Sequence, residues 1–113
     1  MPLDPVFQID LTRTAAYAVV HAEGELDIAA VPQLRALIRE AAEQAPSVVV
    51  DLRQVTFMDT FALRELIGLQ AQADRVSSWA LHVVPGGAIQ RLLDLSGARG
   101  RLRWIAAEQL GAA

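Results

Sequence analysis

The run Val48-Val49-Val50, closed by Asp51, constrains this chain more than any other stretch. Three β-branched residues in succession leave no polar side for water, so the run reads as a central strand covered on both faces. Such a strand needs packed layers around it, and the flanking sequence supplies helices. Val31, Leu34, Leu37, Ile38 and Ala41 recur at helical spacing, with Arg35, Arg39, Glu40 and Glu43 on the other side. Pro32 suits the first turn of this helix, where a missing N–H costs nothing, and Pro46 lies shortly after its end. Beyond the run, Arg53 to Asp59 reads as a loop. Ala62, Leu66, Leu69, Ala73 and Val76 then form a second stripe flanked by Leu63 and Ile67. That spacing predicts a helix from about Thr60 to about Arg75, with Arg64, Gln72 and Arg75 facing water.

The remaining segments complete an alternating pattern. Phe7, Ile9 and Leu11 alternate with Gln8, Asp10 and Thr12, the period of an edge strand with one buried face. After a turn at Arg13-Thr14, the Val-rich segment Ala16 to Ala22, closed by Gly24, predicts the second arm of an antiparallel hairpin. Trp79 to Val84 has strand character, Pro85-Gly86-Gly87 reads as a turn, and Ile89, Leu92, Leu93 and Leu95 predict a third helix ended by Gly97. Leu102 and Trp104 suggest a short last edge strand. The order ββαβαβα(β) predicts an α/β fold: a mixed sheet of four to five strands flanked by helices, with the helix-linked strands parallel.

Composition excludes several functions. A length of 113 residues allows one compact domain, and the absence of cysteine removes disulfides and thiol chemistry. Ten basic against 13 acidic residues give a net charge of -3, which argues against direct binding of nucleic acid or of an anionic membrane. No stretch approaches the roughly 18 apolar residues of a spanning helix, so no membrane insertion is expected. Met1-Pro2-Leu3-Asp4-Pro5 lacks both a basic segment and a following apolar one. The expected location is therefore cytoplasmic.

Catalytic and cofactor patterns are sparse. There is no glycine-rich phosphate loop, Gly86-Gly87 alone being too weak a signal, and no metal-ligand spacing. His21 and His82 fall in predicted strands without spaced partners and read as packing or surface residues. The carboxylate pairs Asp51 with Asp59 and Glu23 with Glu25 read as a strand end with a loop residue, and as residues flanking a strand terminus. No nucleophile, base and acid converge in the pattern, so a binding role without enzymatic activity, and without a cofactor, is expected.

The most informative position is Asp59-Thr60, where the loop meets the second helix. Thr60 is placed to be the N-cap, its hydroxyl accepting from the orphan N–H groups of the first turn. The same geometry suits modification. A phosphoryl group there would meet free N–H groups and the positive end of the helix dipole, while adding about -1.5 to -2 charge to an acidic surface.

Four phrases together resemble a STAS domain: Gly24-Glu25-Leu26-Asp27, Val49-Val50-Asp51-Leu52, Val55-Thr56-Phe57-Met58-Asp59-Thr60, and Ile89-Gln90-Arg91-Leu92-Leu93-Asp94-Leu95-Ser96-Gly97. The resemblance covers about residues 6–97 of a single domain spanning 1–113. It implies an anti-sigma factor antagonist that binds an anti-sigma factor acting also as a serine/threonine kinase. That kinase would phosphorylate Thr60 and a phosphatase would reverse it, so regulating sigma-factor-dependent transcription. By the same resemblance Asp27 and Asp59 flank the phosphoacceptor, and the partner surface takes in Asp27, Asp59, Thr60, Phe61 and Arg64. Asp27 also suits capping of the first helix. The family motif runs Asp, Ser, Ser or Thr, Gly and an aliphatic residue, whereas Asp59-Thr60-Phe61-Ala62-Leu63 stands here. Phe61 replaces a small polar residue and Ala62 the glycine, which alters the docking surface. Two further STAS roles fit the same residues: a subunit clamped on the ATPase of an ABC-type lipid transport complex, and an interaction domain whose threonine is no longer phosphorylated.

Overall fold

The computed structural model describes residues 7–110, leaving the amino-terminal reading of Met1 to Pro5 outside the described residues. Strand β1 (Phe7–Arg13) keeps the alternation of its sequence, with Phe7, Ile9 and Leu11 against the core and Gln8, Asp10 and Thr12 exposed. Thr14 closes the hairpin: its hydroxyl accepts from the N–H groups of Ala16 (3.2 Å) and Tyr17 (3.0 Å). The chain then runs through β2 (Ala18–Leu26), α1 (Val31–Gln44), β3 (Ser47–Met58), α2 (Thr60–Val76), β4 (Ala80–Val84) and α3 (Gly87–Ser96). The strands form one sheet in the order β1-β2-β3-β4, the first pair antiparallel and the next two parallel. This is the mixed α/β arrangement the sequence predicts, with four strands among the described residues.

Helix placement follows from the stripes. Leu34 and Ile38 of α1, Leu66 and Leu69 of α2, and Ile89 and Leu93 of α3 pack with Val20, Val48, Val50, Leu52 and Val83 in one core on one face of the sheet. The opposite face has a smaller cluster of Val19, Val49 and Val84, covered by Ile105 and Leu110 of the segment after α3. That segment holds two 3₁₀ turns, Arg99–Arg101 and Ala107–Gln109. The fifth strand is reduced to one parallel bridge, Trp104 to Val83, tied by Val83 N–H to Arg103 O (2.8 Å) and Ile105 N–H to Val83 O (3.0 Å).

Several predicted boundaries shift for identifiable reasons. Residues Arg53 to Met58 continue β3 rather than forming a loop, which leaves Asp51 inside the strand rather than at its end. β2 likewise runs through Gly24 to Leu26, so Glu23 and Glu25 are exposed strand residues. Register shifts between β2 and β3, one of them at Gly24 with its φ of 99°, break the alternation that would have revealed both extensions. The apolar stripes also end early: Val76 is 55% exposed in the last turn of α2 and Leu95 is 88% exposed in α3. Gly97 ends α3 as expected, in the left-handed conformation at φ 71°.

The turn before α3 crosses the back of β3 closely. A Cβ at Gly86 would lie 2.6 Å from the Leu52 carbonyl oxygen and 3.0 Å from the Arg53 Cα, whereas one at Gly87 would meet nothing within 4 Å. Gly86→Ala is therefore expected to lower unfolding stability by about 1–3 kcal/mol, and Gly87→Ala to leave it unchanged or slightly raised. Chemical denaturation midpoints of the two variants check the contrast.

Candidate functional site

Parallel pairing sets Leu26 beside Met58 at the ends of β2 and β3, so the segments leaving both strands emerge together. Asp59 joins them. Its N–H donates to Leu26 O (3.2 Å), one carboxylate oxygen accepts from Ala62 N–H (2.9 Å), and the other accepts from Ile28 N–H (3.1 Å). Asp59, in extended conformation, is thus the N-cap of α2. The expectation that Thr60 caps the helix is corrected: Thr60 is its first residue, and its side chain is exposed. Both residue types cap well in isolation, and the bond from Ile28 on another loop selects Asp59.

Asp27 also differs from its expected cap. Its carboxylate accepts from Ala29 N–H (3.0 Å) and Ala30 N–H (3.2 Å), which closes a turn before α1. The N-cap position of α1 itself is Ala30, with no side-chain bond, and Pro32 sits in the first turn. Between these anchored turns the surface is apolar: Ile28 is 58% and Phe61 57% exposed. Arg64, one helical turn after Thr60, is exposed and lines with it a hollow of about 360 Å³. Across that hollow lie Ser96, Gly97 and Ala98 from the end of α3 and Arg101 from the 3₁₀ turn after it. The structure therefore places Asp27, Asp59, Thr60, Phe61 and Arg64 at one end of the sheet.

The family model described as Mlab, STAS domain, matches residues 9–110. The chain belongs to this STAS family. No curated protein matches it significantly. Among solved structures, the STAS chain is similar to an anti-sigma factor antagonist from Mycobacterium paratuberculosis, at TM-score 0.70 and 24% identity over 87% of this chain and 84% of that one. It is also similar to the Bacillus cell fate determinant SpoIIAA in its phosphorylated form, at TM-score 0.63 and 23% identity over 92% and 95% of the two chains. The unphosphorylated form of the antagonist SpoIIAA matches at TM-score 0.66 and 23% identity, over 92% of this chain and 91% of that one. These likenesses establish a common fold. Among the described residues no helix of the STAS chain is long and apolar enough to cross a membrane.

A second polar cluster lies on the sheet face away from the helices, and the sequence reading missed it. Asp51, only 5% exposed, accepts from the Arg53 backbone N–H (3.1 Å), from Arg53 Nε (2.9 Å) and Nη2 (2.8 Å), and faces His21 Nδ1 at 3.1 Å. Thr12 Oγ1 lies 2.9 Å from His21 Nε2. The His21 read as a packing or surface residue is therefore hydrogen-bonded through both ring nitrogens. His82 is the plainer case: burial first, and Arg103 second, push its pKa down.

Burial by itself pushes the Asp51 carboxyl up, but the Arg53 side-chain and backbone bonds, its charge and the His21 bond outweigh this and hold it below the ordinary carboxylate value. A depressed folded-state pKa adds stability that is fully present above the unfolded value of about 4 and is lost as pH falls through the folded one. Asp51→Asn is accordingly expected to cost about 2 kcal/mol near neutral pH, with the gap to the native chain narrowing in acid. Asp59→Ala should cost about 1–2 kcal/mol at the α2 cap, and Asp59→Asn less, because the amide oxygen still accepts from Ala62 N–H while only the bond from Ile28 N–H is lost. Denaturant unfolding at pH 7 and pH 3 checks both expectations.

Proposed function

We propose that this STAS domain is an anti-sigma factor antagonist: it binds an anti-sigma factor through the Asp27–Thr60 end of the sheet and is switched off by phosphorylation at Thr60. The observation that carries this reading is the position of Thr60. As the first residue of α2, beyond the Asp59 cap, it is exposed at the same end of the sheet as the exposed apolar side chains of Ile28 and Phe61. A partner closing over Ile28 and Phe61 would bury apolar surface and use Phe61 as an anchor.

A phosphoryl group on Thr60 changes that surface locally. It sits at the positive end of the α2 dipole, with Arg64 one turn away and Arg101 lining the same hollow, so the modified state is supported within the domain. Its charge adds to Asp59 and Asp27, and an apolar partner surface would have to desolvate it. The catalysis in this switch belongs to the partner kinase and to a phosphatase.

Thr60→Asp is expected to bind the co-purified anti-sigma factor about a hundredfold more weakly than Thr60→Ala, a difference of about 3 kcal/mol. Titration calorimetry of the two variants measures this. Equal affinities would overturn the switch. A second reading, a STAS subunit clamped on the ATPase of an ABC-type lipid transport complex, is supported by the match to the family model described as Mlab, STAS domain, and by Asp59-Thr60 opening an apolar helix, whereas Phe61 and Ala62 motivate an interaction domain whose threonine is no longer phosphorylated. An unmodified Thr60 with such an ATPase bound, in protein isolated from its native host, would support that reading instead.

A further inference from the structure

The second polar cluster has an order that the packing of the sheet does not require. Thr12, His21 and Asp51 stand on three adjacent strands, β1, β2 and β3. Ladder pairing sets His21 directly beside Asp51 and Thr12 opposite Val19, two residues before His21, so the three side chains share the face away from the helices. The distances, 2.9 Å from Thr12 Oγ1 to His21 Nε2 and 3.1 Å from His21 Nδ1 to Asp51 Oδ2, join them in one line.

The protons in that line are assigned by elimination. Arg53 donates three bonds to Asp51 and keeps it ionised, and an ionised carboxylate only accepts. His21 Nδ1 must then carry the hydrogen directed at Asp51. In the neutral imidazole this leaves Nε2 as an acceptor, and the Thr12 hydroxyl donates to it. A hydroxyl donating to an imidazole whose far nitrogen is held by a buried carboxylate is the arrangement of an activated nucleophile. Thr12 itself is exposed, while the Asp51 side chain is 6% and the His21 side chain 40% exposed. The relay is thus supported from the inside and open at its reactive end.

Beside it lies a hollow of about 260 Å³ lined by Thr12 and His21, by Arg53, and by the apolar side chains of Val19, Ala107 and Leu110. Its size and mixed lining fit a short-chain ester, with Arg53 the cation on the wall. On the other side of His21, Asp10 and Glu23 border a second hollow and make that side acidic.

We propose that Thr12, His21 and Asp51 form a nucleophile, base and orienting group, and that Thr12 takes acyl groups from small esters seated in the Arg53-lined hollow. Thr12 Oγ attacks the ester carbonyl carbon as its proton passes to His21 Nε2, and the imidazolium is held by Asp51. The tetrahedral adduct collapses by breaking the bond to the leaving oxygen, which takes the proton from His21 Nε2 and departs as an alcohol. Water then attacks the acyl-Thr12 carbonyl and gives a proton to His21. The carboxylic acid leaves as that proton returns to Thr12 Oγ. No electron donor or acceptor enters, and the proposal is independent of the Thr60 switch.

The test incubates the full chain with p-nitrophenyl acetate, following p-nitrophenol release and locating acetyl groups by peptide mass spectrometry. One acetyl group on Thr12 is expected, absent in Thr12→Val, retained in Thr12→Ser, and formed at least about a hundredfold more slowly in His21→Gln. All three variants change side chains at the water-facing surface, and circular dichroism confirms that each is folded. A purely structural network would leave Thr12 unlabelled. The proposal is overturned by labelling confined to other residues, by release equally fast in Thr12→Val, or by no release above the rate in buffer.

Discussion

Parallel pairing of β2 with β3 sends both strands in the same direction, so the segments that leave them come out at the same edge of the sheet. The crossover needed for that pairing is α1, and its apolar stripe fills the groove the two strands create. Everything at the Thr60 end depends on this. Asp27 and Ile28 follow β2, Asp59 and Thr60 follow β3, and Asp59 stitches the two exits with two hydrogen bonds while a third caps α2. The same ladder, further back along the strands, lays His21 against Asp51. One pairing thus supports the exposed apolar end proposed as the docking surface and the hydrogen-bonded polar line on its face.

The helices were legible because their burial obeys a single period. Val31, Leu34, Ile38 and Ala41 are buried in α1 as the spacing requires, and Ala62, Leu66, Leu69 and Ala73 in α2. The latter half of β3 was not legible, because its buried residues, Leu52, Val55 and Met58, fall every third position. That is neither the alternation of a half-buried strand nor the stripe of a helix. It arises from the register shifts against β2, which depend on both strands and so cannot be read from one.

The site residues show the same division between local and tertiary causes. Asp59-Thr60 was recognisable as a helix start, since either residue can cap, but only a donor thirty-one positions away, Ile28 N–H, decides which one does. Thr12, His21 and Asp51 lie in three segments that look unrelated along the chain. Only the face of Thr12 could be assigned from alternation, since His21 and Asp51 follow runs buried on both faces; their alignment required the register of two different ladders.

The mixed character of the sheet also orders the events by which it is made. The β1–β2 hairpin closes over a short turn, while every other strand pairing must wait for an intervening helix to be complete. Until β3 pairs with it, a β1–β2 hairpin would present its apolar face and the unpaired inner edge of β2, the kind of surface on which extended chains adhere to one another. Asp10 on the first arm and Glu23 and Glu25 on the second place negative charge along that ribbon. In the finished fold these carboxylates border a shallow hollow or face water; before β3 claims the inner edge, the same charges would oppose the approach of a second such hairpin.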